Sequence, residues 1–203
     1  MDELLPKHPH NAIICGRTNS GKTYHTLNII QKFYLHVFNH IFIICPTYYN
    51  NKTYDSNKRP WLSRCKVLSD GQLIEHLNTI IKQHSVGGKL SGKNSLIIID
   101  DCSAEKDLNK HRTALSKIAF SGRHSNLTTW FISQRYVSVP KDFRENIHWL
   151  LVTKNTCRKS FEMLTSENDI IPEEKHKEIK EGLINDFMLF ANTDLGKYLV
   201  VYK

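Results

Sequence analysis

Near its amino terminus the chain reads Ile13-Ile14-Cys15-Gly16-Arg17-Thr18-Asn19-Ser20-Gly21-Lys22-Thr23. This apolar run ends in the full pattern G-x-x-x-x-G-K-T, and an amphipathic segment follows at once, which is typical of a nucleotide-binding P-loop. The two glycines let the backbone curl so that successive N–H groups face phosphates, and the following helix adds its positive amino end. We therefore expect residues 16–23 to bind nucleotide phosphates, with Lys22 reaching the β- and γ-phosphates and Thr23 binding Mg²⁺.

Apolar strands alternate with amphipathic helices around this loop. Strands are predicted over residues 11–16, 40–46, 95–101, 127–134 and 148–153, and helices from 21 to about 36 and over 71–84 and 104–120. Residues 47–64 are irregular and are predicted to be a surface excursion. A charged helix over 173–182 and a β-hairpin of 186–192 with 197–203 follow near the end. The pattern predicts an α/β, three-layer αβα P-loop NTPase of the RecA-like type, with a mostly parallel central sheet and a C-terminal β-hairpin.

Length, charge and cysteine content limit the classes to which the protein can belong. At 203 residues we expect one domain over 1–203, with its core at about 11–154 and a helix and hairpin over about 155–203. Lys and Arg number 28 against 20 Asp and Glu, an excess that favours a polyanionic partner, although basic surfaces also serve solubility. The five cysteines form no C-x-x-C pair, which favours a reducing compartment. The sequence lacks an apolar run of about 18 residues, and its first ten residues lack an apolar core. We therefore expect neither a membrane span nor a secretory leader.

A pair of carboxylates follows the most apolar strand. The run Leu96-Ile97-Ile98-Ile99-Asp100-Asp101 fits the Walker B pattern, in which an acid emerges beside the P-loop at the carboxyl end of a buried strand. Asp100 is expected to hold Mg²⁺, directly or through water. Asp101 is expected to orient or deprotonate the water that attacks the γ-phosphate, and Glu105 is the alternative base.

Two further polar residues are candidates for catalysis. Gln134 ends the predicted strand 127–134, where its amide can hydrogen-bond the attacking water or the γ-phosphate. Arg123 lies between a predicted helix and that strand, and a guanidinium at this point can stabilise transition-state charge in the site of a neighbouring subunit. An ordinary surface arginine is the alternative interpretation.

The order of these motifs resembles that of the FtsK–HerA superfamily of DNA-pumping ATPases. With Gly122-Arg123-His124 and Ile132-Ser133-Gln134, the chain is most similar to the poxvirus-type genome-packaging ATPases. The resemblance implies a homo-oligomeric ring, a pentamer or hexamer, that uses ATP and Mg²⁺ to pump double-stranded viral DNA into a capsid. It also implies capsid or vertex proteins as partners and a location at virion assembly sites inside the host cell. Asp101 departs from the family, in which Glu is frequent at this position.

Other interpretations stay open at this point. A P-loop nucleoside or nucleotide kinase has a similar length, but the sequence lacks a compact arginine-rich lid. A GTPase is disfavoured because the expected D-x-x-G and N-K-x-D patterns are missing, so adenine is the expected base. A nucleic-acid-binding protein with a vestigial P-loop is a third alternative. Basic residues that flank the Walker B strand are candidates to line a DNA channel: Lys89, Lys93, Lys106, Lys110 and Arg112.

Overall fold

An eight-stranded, mostly parallel sheet forms the centre of the computed structural model, which describes residues 2–102, 112–154, 157–185 and 188–201. The strands, in chain order, are β1 (Asn11–Cys15), β2 (His40–Ile44), β3 (Lys66–Leu68), β4 (Ser95–Asp100), β5 (Leu127–Ser133), β6 (Trp149–Val152), β7 (Met188–Asn192) and β8 (Lys197–Val201). Their order across the sheet is β3-β2-β4-β5-β1-β6-β7-β8. Strands β1 to β6 run parallel, whereas β7 pairs antiparallel with both β6 and β8. The predicted sheet and C-terminal hairpin are confirmed.

Helices cover both faces of this sheet. They are α1 (Lys22–Ile29), which continues into a π-helical turn (Ile30–Tyr34), α2 (Leu73–His84), α3 (Arg112–Ser121), α4 (Lys141–Arg144), α5 (Arg158–Glu167) and α6 (Glu173–Ile184). Helices α2, α3, α5 and α6 pack on one face with Ile97, Ile99 and Phe131, and α1 packs on the other with Ile98 and Trp130. Neighbouring strand residues point to opposite faces, and helices cover both faces, so β4 and β5 are buried along their whole length. The predicted three-layer arrangement is therefore confirmed.

The structure contains elements that the sequence pattern did not predict. Strand β3 has three residues and helix α4 has four, too few for a periodic signal. Helix α5 was missed because its apolar stripe is narrow, with Phe161 and Leu164 as its buried apolar residues. The predicted helix over 104–120 lies partly outside the described residues, which resume at Arg112.

The prediction that residues 47–64 form a surface excursion holds for most of the segment, which is exposed or half-buried, but not for its buried aromatic residues. This segment contains two 3₁₀ helices (Tyr48–Asn50 and Pro60–Arg64) and buries Tyr54, Trp61 and Leu62 against the face that α1 covers. Its Tyr and Trp rings supply apolar surface that a count of its polar residues conceals.

Parallel pairing gives the sheet two chemically distinct edges. Strands β1, β2, β4, β5 and β6 all end at one edge, here called the carboxyl edge, and all begin at the opposite amino edge. The register aligns Asp100 of β4 with Ile132 of β5, and Ile132 in turn with Ile14 of β1. The Walker B carboxylate therefore lies level with the last residues before the P-loop. Open parallel sheets bind their ligands at the carboxyl edge.

Candidate functional site

The P-loop connects the end of β1 to the start of α1. Two residues of the loop have left-handed backbone, Asn19 with φ 60° and Gly21 with φ 83°. Glycine adopts this conformation without steric cost, which explains its place directly before Lys22. Helix α1 begins at Lys22 and has no side-chain cap, so its first N–H groups are available to an anion. The local backbone therefore fits a phosphate chain.

Contacts with the neighbouring strands hold the loop in place. A Cβ atom on Gly16 would lie 2.0 Å from Thr153 Oγ1, so the loop approaches the end of β6 as closely as only glycine allows. The hydroxyl groups of Ser20 and Thr153 share a hydrogen bond of 2.7 Å. The Arg17 N–H donates to the Lys154 carbonyl at 2.9 Å. These contacts fix the loop before any ligand binds.

The predicted magnesium residues meet across a separation of 77 positions in the chain. The Thr23 hydroxyl donates to Asp100 Oδ2 at 3.0 Å, and the Tyr54 hydroxyl donates to the same oxygen at 2.7 Å. Mg²⁺ prefers hard oxygen ligands and is commonly bound by one or two protein oxygens together with substrate phosphates. A hydroxyl and a carboxylate beside a phosphate loop fit this ion.

Asp101 lies directly beyond the end of β4 and is exposed at the same edge. Its φ of 56° is left-handed, and the Thr47 hydroxyl donates to its Oδ2 at 2.9 Å. The alternative base, Glu105, lies outside the described residues. Asp101 is thus the one of the two candidate bases whose position the structure describes.

A cavity of about 470 Å³ unites these groups at the carboxyl edge. Gln134, exposed at the end of β5, lines it together with Asp100 and Asp101. P-loop residues 18–23 form one wall, while Gly16 is buried beneath the loop and Arg17 is exposed outside the lining. The opposite wall comes from the 47–64 segment through Thr47, Asn50, Asn51 and Thr53. The cavity therefore brings residues 18–23 of the predicted phosphate loop together with Asp100, Asp101 and Gln134.

Burial disfavours the charged forms of both Lys22 and Asp100, and each charge stabilises the other. Burial lowers the pKa of the Lys22 ammonium, and the nearby Asp100 carboxylate opposes that shift. Burial also raises the pKa of the Asp100 carboxyl, which hydrogen bonds from Tyr54 and Thr23 and the charge of Lys22 oppose. Lys22 Nζ donates to the Arg17 carbonyl at 2.9 Å, a neutral acceptor. A phosphate would give this ammonium a stronger partner.

Arg123 does not join this cavity. It lies just before β5 at the amino edge, and β5 spans seven residues, about 20 Å, so the guanidinium cannot reach its own P-loop. Arg123 Nη1 lies 2.8 Å from His148 Nε2, but His148 Nδ1 already accepts a hydrogen bond from the Asn11 N–H. A neutral imidazole then carries its proton on Nε2, so this contact gives the guanidinium no acceptor.

Sequence reasoning missed Tyr54 and Thr47, which hydrogen-bond the Walker B carboxylates in addition to Thr23. A usable signal was present, because residues 47–54 follow β2, which pairs with β4 and ends at the same edge. A polar, tyrosine-rich segment after a strand that neighbours the Walker B strand belongs to the ligand-binding edge.

The chain also matches known proteins. A model of the poxvirus A32 protein family matches residues 1–201. The chain belongs to this family. The resemblance to poxvirus-type packaging ATPases, and the prediction of a viral DNA-packaging ATPase, are thereby confirmed at the level of the family. Among curated proteins, no significant match was found.

Three solved structures are similar to this chain over at least 95% of its length. The genome packaging NTPase B204 of Sulfolobus turreted icosahedral virus 2, in complex with AMPPCP, has a TM-score of 0.67 at 16% identity over 98% of this chain and 99% of its own. The pCW3 conjugation coupling protein TcpA with ATPγS has a TM-score of 0.66 at 14% identity, over 95% of this chain and 59% of its own. VirB4 of Thermoanaerobacter pseudethanolicus has a TM-score of 0.63 at 9% identity, over 95% of this chain and 88% of its own. These likenesses show a shared P-loop NTPase fold.

Across the described ranges, no helix is both long and apolar enough to cross a membrane.

Proposed function

We propose that the protein is the Mg²⁺-dependent ATPase subunit of a motor that moves double-stranded viral DNA into a capsid. The observation that carries the proposal is the meeting of Thr23 and Asp100, whose side-chain oxygens lie 3.0 Å apart in the lining of the P-loop cavity. Walker A and Walker B groups at this separation form a Mg²⁺-nucleotide site. Membership of the poxvirus A32 family supports the packaging role.

The predicted site residues of the cavity have distinct parts in hydrolysis. Lys22 and the N–H groups at the start of α1 bind the β- and γ-phosphates of ATP and offset charge that develops on them. Thr23 and Asp100 would hold Mg²⁺, which supplies Lewis-acid stabilisation of the phosphate oxygens when bound. Asp101 accepts a proton from the attacking water or orients it. Gln134 hydrogen-bonds the water or the γ-phosphate.

The position of Arg123 at the amino edge favours action on a second copy of the chain. Its guanidinium is exposed, lies far from its own P-loop, and has no acceptor in His148. In a head-to-tail ring, the amino edge of one subunit can face the carboxyl edge of the next. We propose that Arg123 completes the neighbour's ATP site in such a ring, a pentamer or hexamer.

Basic residues near the amino edge support DNA as the substrate that is moved. Lys89 and Lys93 are exposed in the loop before β4, and Lys89 lines a second cavity of about 240 Å³ with Arg64 and Lys66. Lys106 and Lys110 lie outside the described residues, as does the side chain of Arg112. Contacts of lysine and arginine with phosphates are blind to sequence, as a packaging motor requires. Capsid or vertex proteins are the proposed further partners, and virion assembly sites in the infected cell the proposed location.

A nucleoside or nucleotide kinase is the less favoured function. Such an enzyme needs an arginine lid over the phosphates, whereas no arginine lines the cavity within the described part of the chain. An intact Lys22, Thr23 and Asp100 also disfavour a vestigial P-loop.

Steady-state ATP hydrolysis with and without duplex DNA tests the proposal. We expect DNA of unrelated sequences to stimulate turnover equally at about 50 mM salt and much less at about 200 mM, because six to ten phosphate contacts weaken binding by about 10³–10⁵ over that range. The DNA-free rate is the control for direct effects of salt. A rate of ATP hydrolysis that is the same with and without DNA, together with phosphate transfer to a nucleoside or nucleotide, would establish the kinase instead.

A further inference from the structure

We propose that Thr47 and Tyr54, here called the carboxylate clamp, are positioning residues that set the orientation of the two Walker B carboxylates. Tyr54 acts on Asp100 and Thr47 acts on Asp101. This inference rests on the proposed function, since it concerns how an ATP site is held ready. The clamp residues come from the segment between β2 and β3, which lies outside both Walker motifs.

Tyr54 fixes the carboxylate that is predicted to hold Mg²⁺. Its hydroxyl donates to Asp100 Oδ2 at 2.7 Å, the oxygen that also accepts from Thr23. A phenol is protonated at neutral pH and therefore acts as a donor here. Two donors on one oxygen restrict rotation of the carboxylate and leave Oδ1 to serve a metal or its water. Tyr54 is itself 8% exposed, and its ring lies 4.6 Å from that of Tyr48, so the donor is rigidly held.

Thr47 fixes the carboxylate that is predicted to activate water. Its hydroxyl donates to Asp101 Oδ2 at 2.9 Å, while Asp101 is exposed and has the left-handed φ of 56°. Such a backbone is uncommon outside glycine, Asn and Asp. An exposed carboxylate without a partner samples several rotamers. One hydrogen bond selects a single orientation and leaves the second oxygen free to accept a proton.

The segment that carries the clamp is tied to the helix that follows the P-loop. Arg59 donates to Asn28 Oδ1 on α1 at 2.9 Å and to the Thr53 carbonyl at 3.3 Å, and its guanidinium lies 5.3 Å from the Tyr24 ring. Arg59 is buried together with Trp61, which packs on the same face of the sheet. The clamp and the phosphate loop are therefore fixed to the same helix, so their relative positions are set before nucleotide binds.

Nucleotide binding, measured without turnover, tests the role of Tyr54. A fluorescent ATP analogue is titrated with and without Mg²⁺ into the wild type, Tyr54→Phe and Tyr48→Phe. We expect Tyr54→Phe to reduce the gain in affinity that Mg²⁺ gives by about tenfold, and to leave binding without Mg²⁺ unchanged. Tyr48→Phe removes a hydroxyl from the same ring stack and is expected to behave as the wild type. An unchanged Mg²⁺ gain in Tyr54→Phe would overturn this half of the clamp.

Single-turnover hydrolysis tests the role of Thr47. Thr47→Val removes the hydroxyl at nearly constant volume, and we expect hydrolysis to slow about tenfold while analogue affinity stays the same. Thr47→Ser keeps the hydroxyl and is expected to restore the rate. Wild-type hydrolysis in Thr47→Val, or equal slowing in both variants, would overturn the assignment.

Together, the binding titration and the single-turnover assay distinguish failure of the carboxylate clamp from failure of the proposed ATPase function. If the wild type binds Mg²⁺-nucleotide but hydrolyses none, the ATPase proposal fails, and the binding titration still tests Tyr54. If the wild type is an active ATPase and neither clamp variant shows its expected defect, the clamp alone is rejected.

Discussion

The two edges of the central sheet are built from the same strands and carry different chemical groups. At the carboxyl edge, strands β1, β4 and β5 end in the P-loop, the Asp100-Asp101 pair and Gln134, which together line one cavity. At the amino edge lie Arg123, beside His148, and exposed lysines of the loop before β4. A guanidinium about 20 Å from its own phosphate site can assist hydrolysis only in another copy. The edge at which a residue lies thus decides whether it can act within its own subunit.

Strand β6 shows the same contrast within a single element. His148, just before the strand, contacts Arg123, whereas Thr153, just after it, hydrogen-bonds Ser20 of the P-loop. The ends of one strand therefore lie beside the P-loop and beside the candidate arginine finger. Substitutions at the two ends are expected to separate nucleotide binding from subunit cooperation.

The largest expected effect comes from removing the ammonium at the carboxyl edge. Lys22→Ala should lower the kcat/KM of ATP hydrolysis by about 10³-fold or more, because it deletes the cation aimed at the β- and γ-phosphates. Lys93→Ala, a loss of equal charge at the amino edge, should leave nucleotide affinity unchanged. Steady-state kinetics and analogue binding measure both. Near-normal turnover in Lys22→Ala would end the P-loop assignment.

Substitutions of the two carboxylates, Asp100 and Asp101, are expected to impair different steps. Asp101→Asn should lower kcat by about 10²-fold or more and leave ATP affinity intact, because it removes the base and not a ligand. Asp100→Asn should instead weaken Mg²⁺-dependent nucleotide binding, as followed in a Mg²⁺ titration with a fluorescent analogue. If Asp101→Asn hydrolyses normally and Glu105→Gln traps ATP, Glu105 is the base.

The smallest effect is expected at the end of β6. Thr153→Val removes a hydroxyl that bonds Ser20 and also donates to the Cys15 carbonyl. Loss of the bond to Ser20 should weaken ATP-analogue binding about three- to tenfold, close to 1 kcal/mol. Thr193→Val is the matched control, because the Thr193 hydroxyl donates to the Ile147 carbonyl at the other end of the same strand. The control should lose a similar amount of stability in thermal unfolding and no affinity. Equal loss of affinity in both variants would show that general stability, and not the loop anchor, is responsible.

Motifs that depend on local chemistry could be predicted from the sequence. The P-loop pattern, the apolar strand before Asp100 and the Gln134 position each depend on a few consecutive residues, and the register of parallel strands then brings them together. The family resemblance also rested on these local motifs.

The parts that could not be predicted depend on distant packing. Tyr54 contacts Asp100 across 46 residues, and the fold of its segment depends on burial of Tyr54 and Trp61 against strands elsewhere. No short pattern marks such a contact. Likewise, the sequence order of Arg123 and Gln134 places them close along the chain, whereas the strand between them carries them to opposite edges. The single-domain organisation and the residue roles stay predictions.

A mixing experiment tests the central claim, that an ATP site at the carboxyl edge is completed by the amino edge of another subunit. Lys22→Ala and Arg123→Ala subunits are assayed for ATP hydrolysis separately and then together, with each variant mixed with wild type as the concentration control. The two lesions lie on opposite sides of a head-to-tail contact, so mixing creates interfaces with an intact Arg123 facing an intact Lys22. We predict negligible hydrolysis by either variant alone and partial recovery on mixing. Full activity of Arg123→Ala by itself would contradict the account.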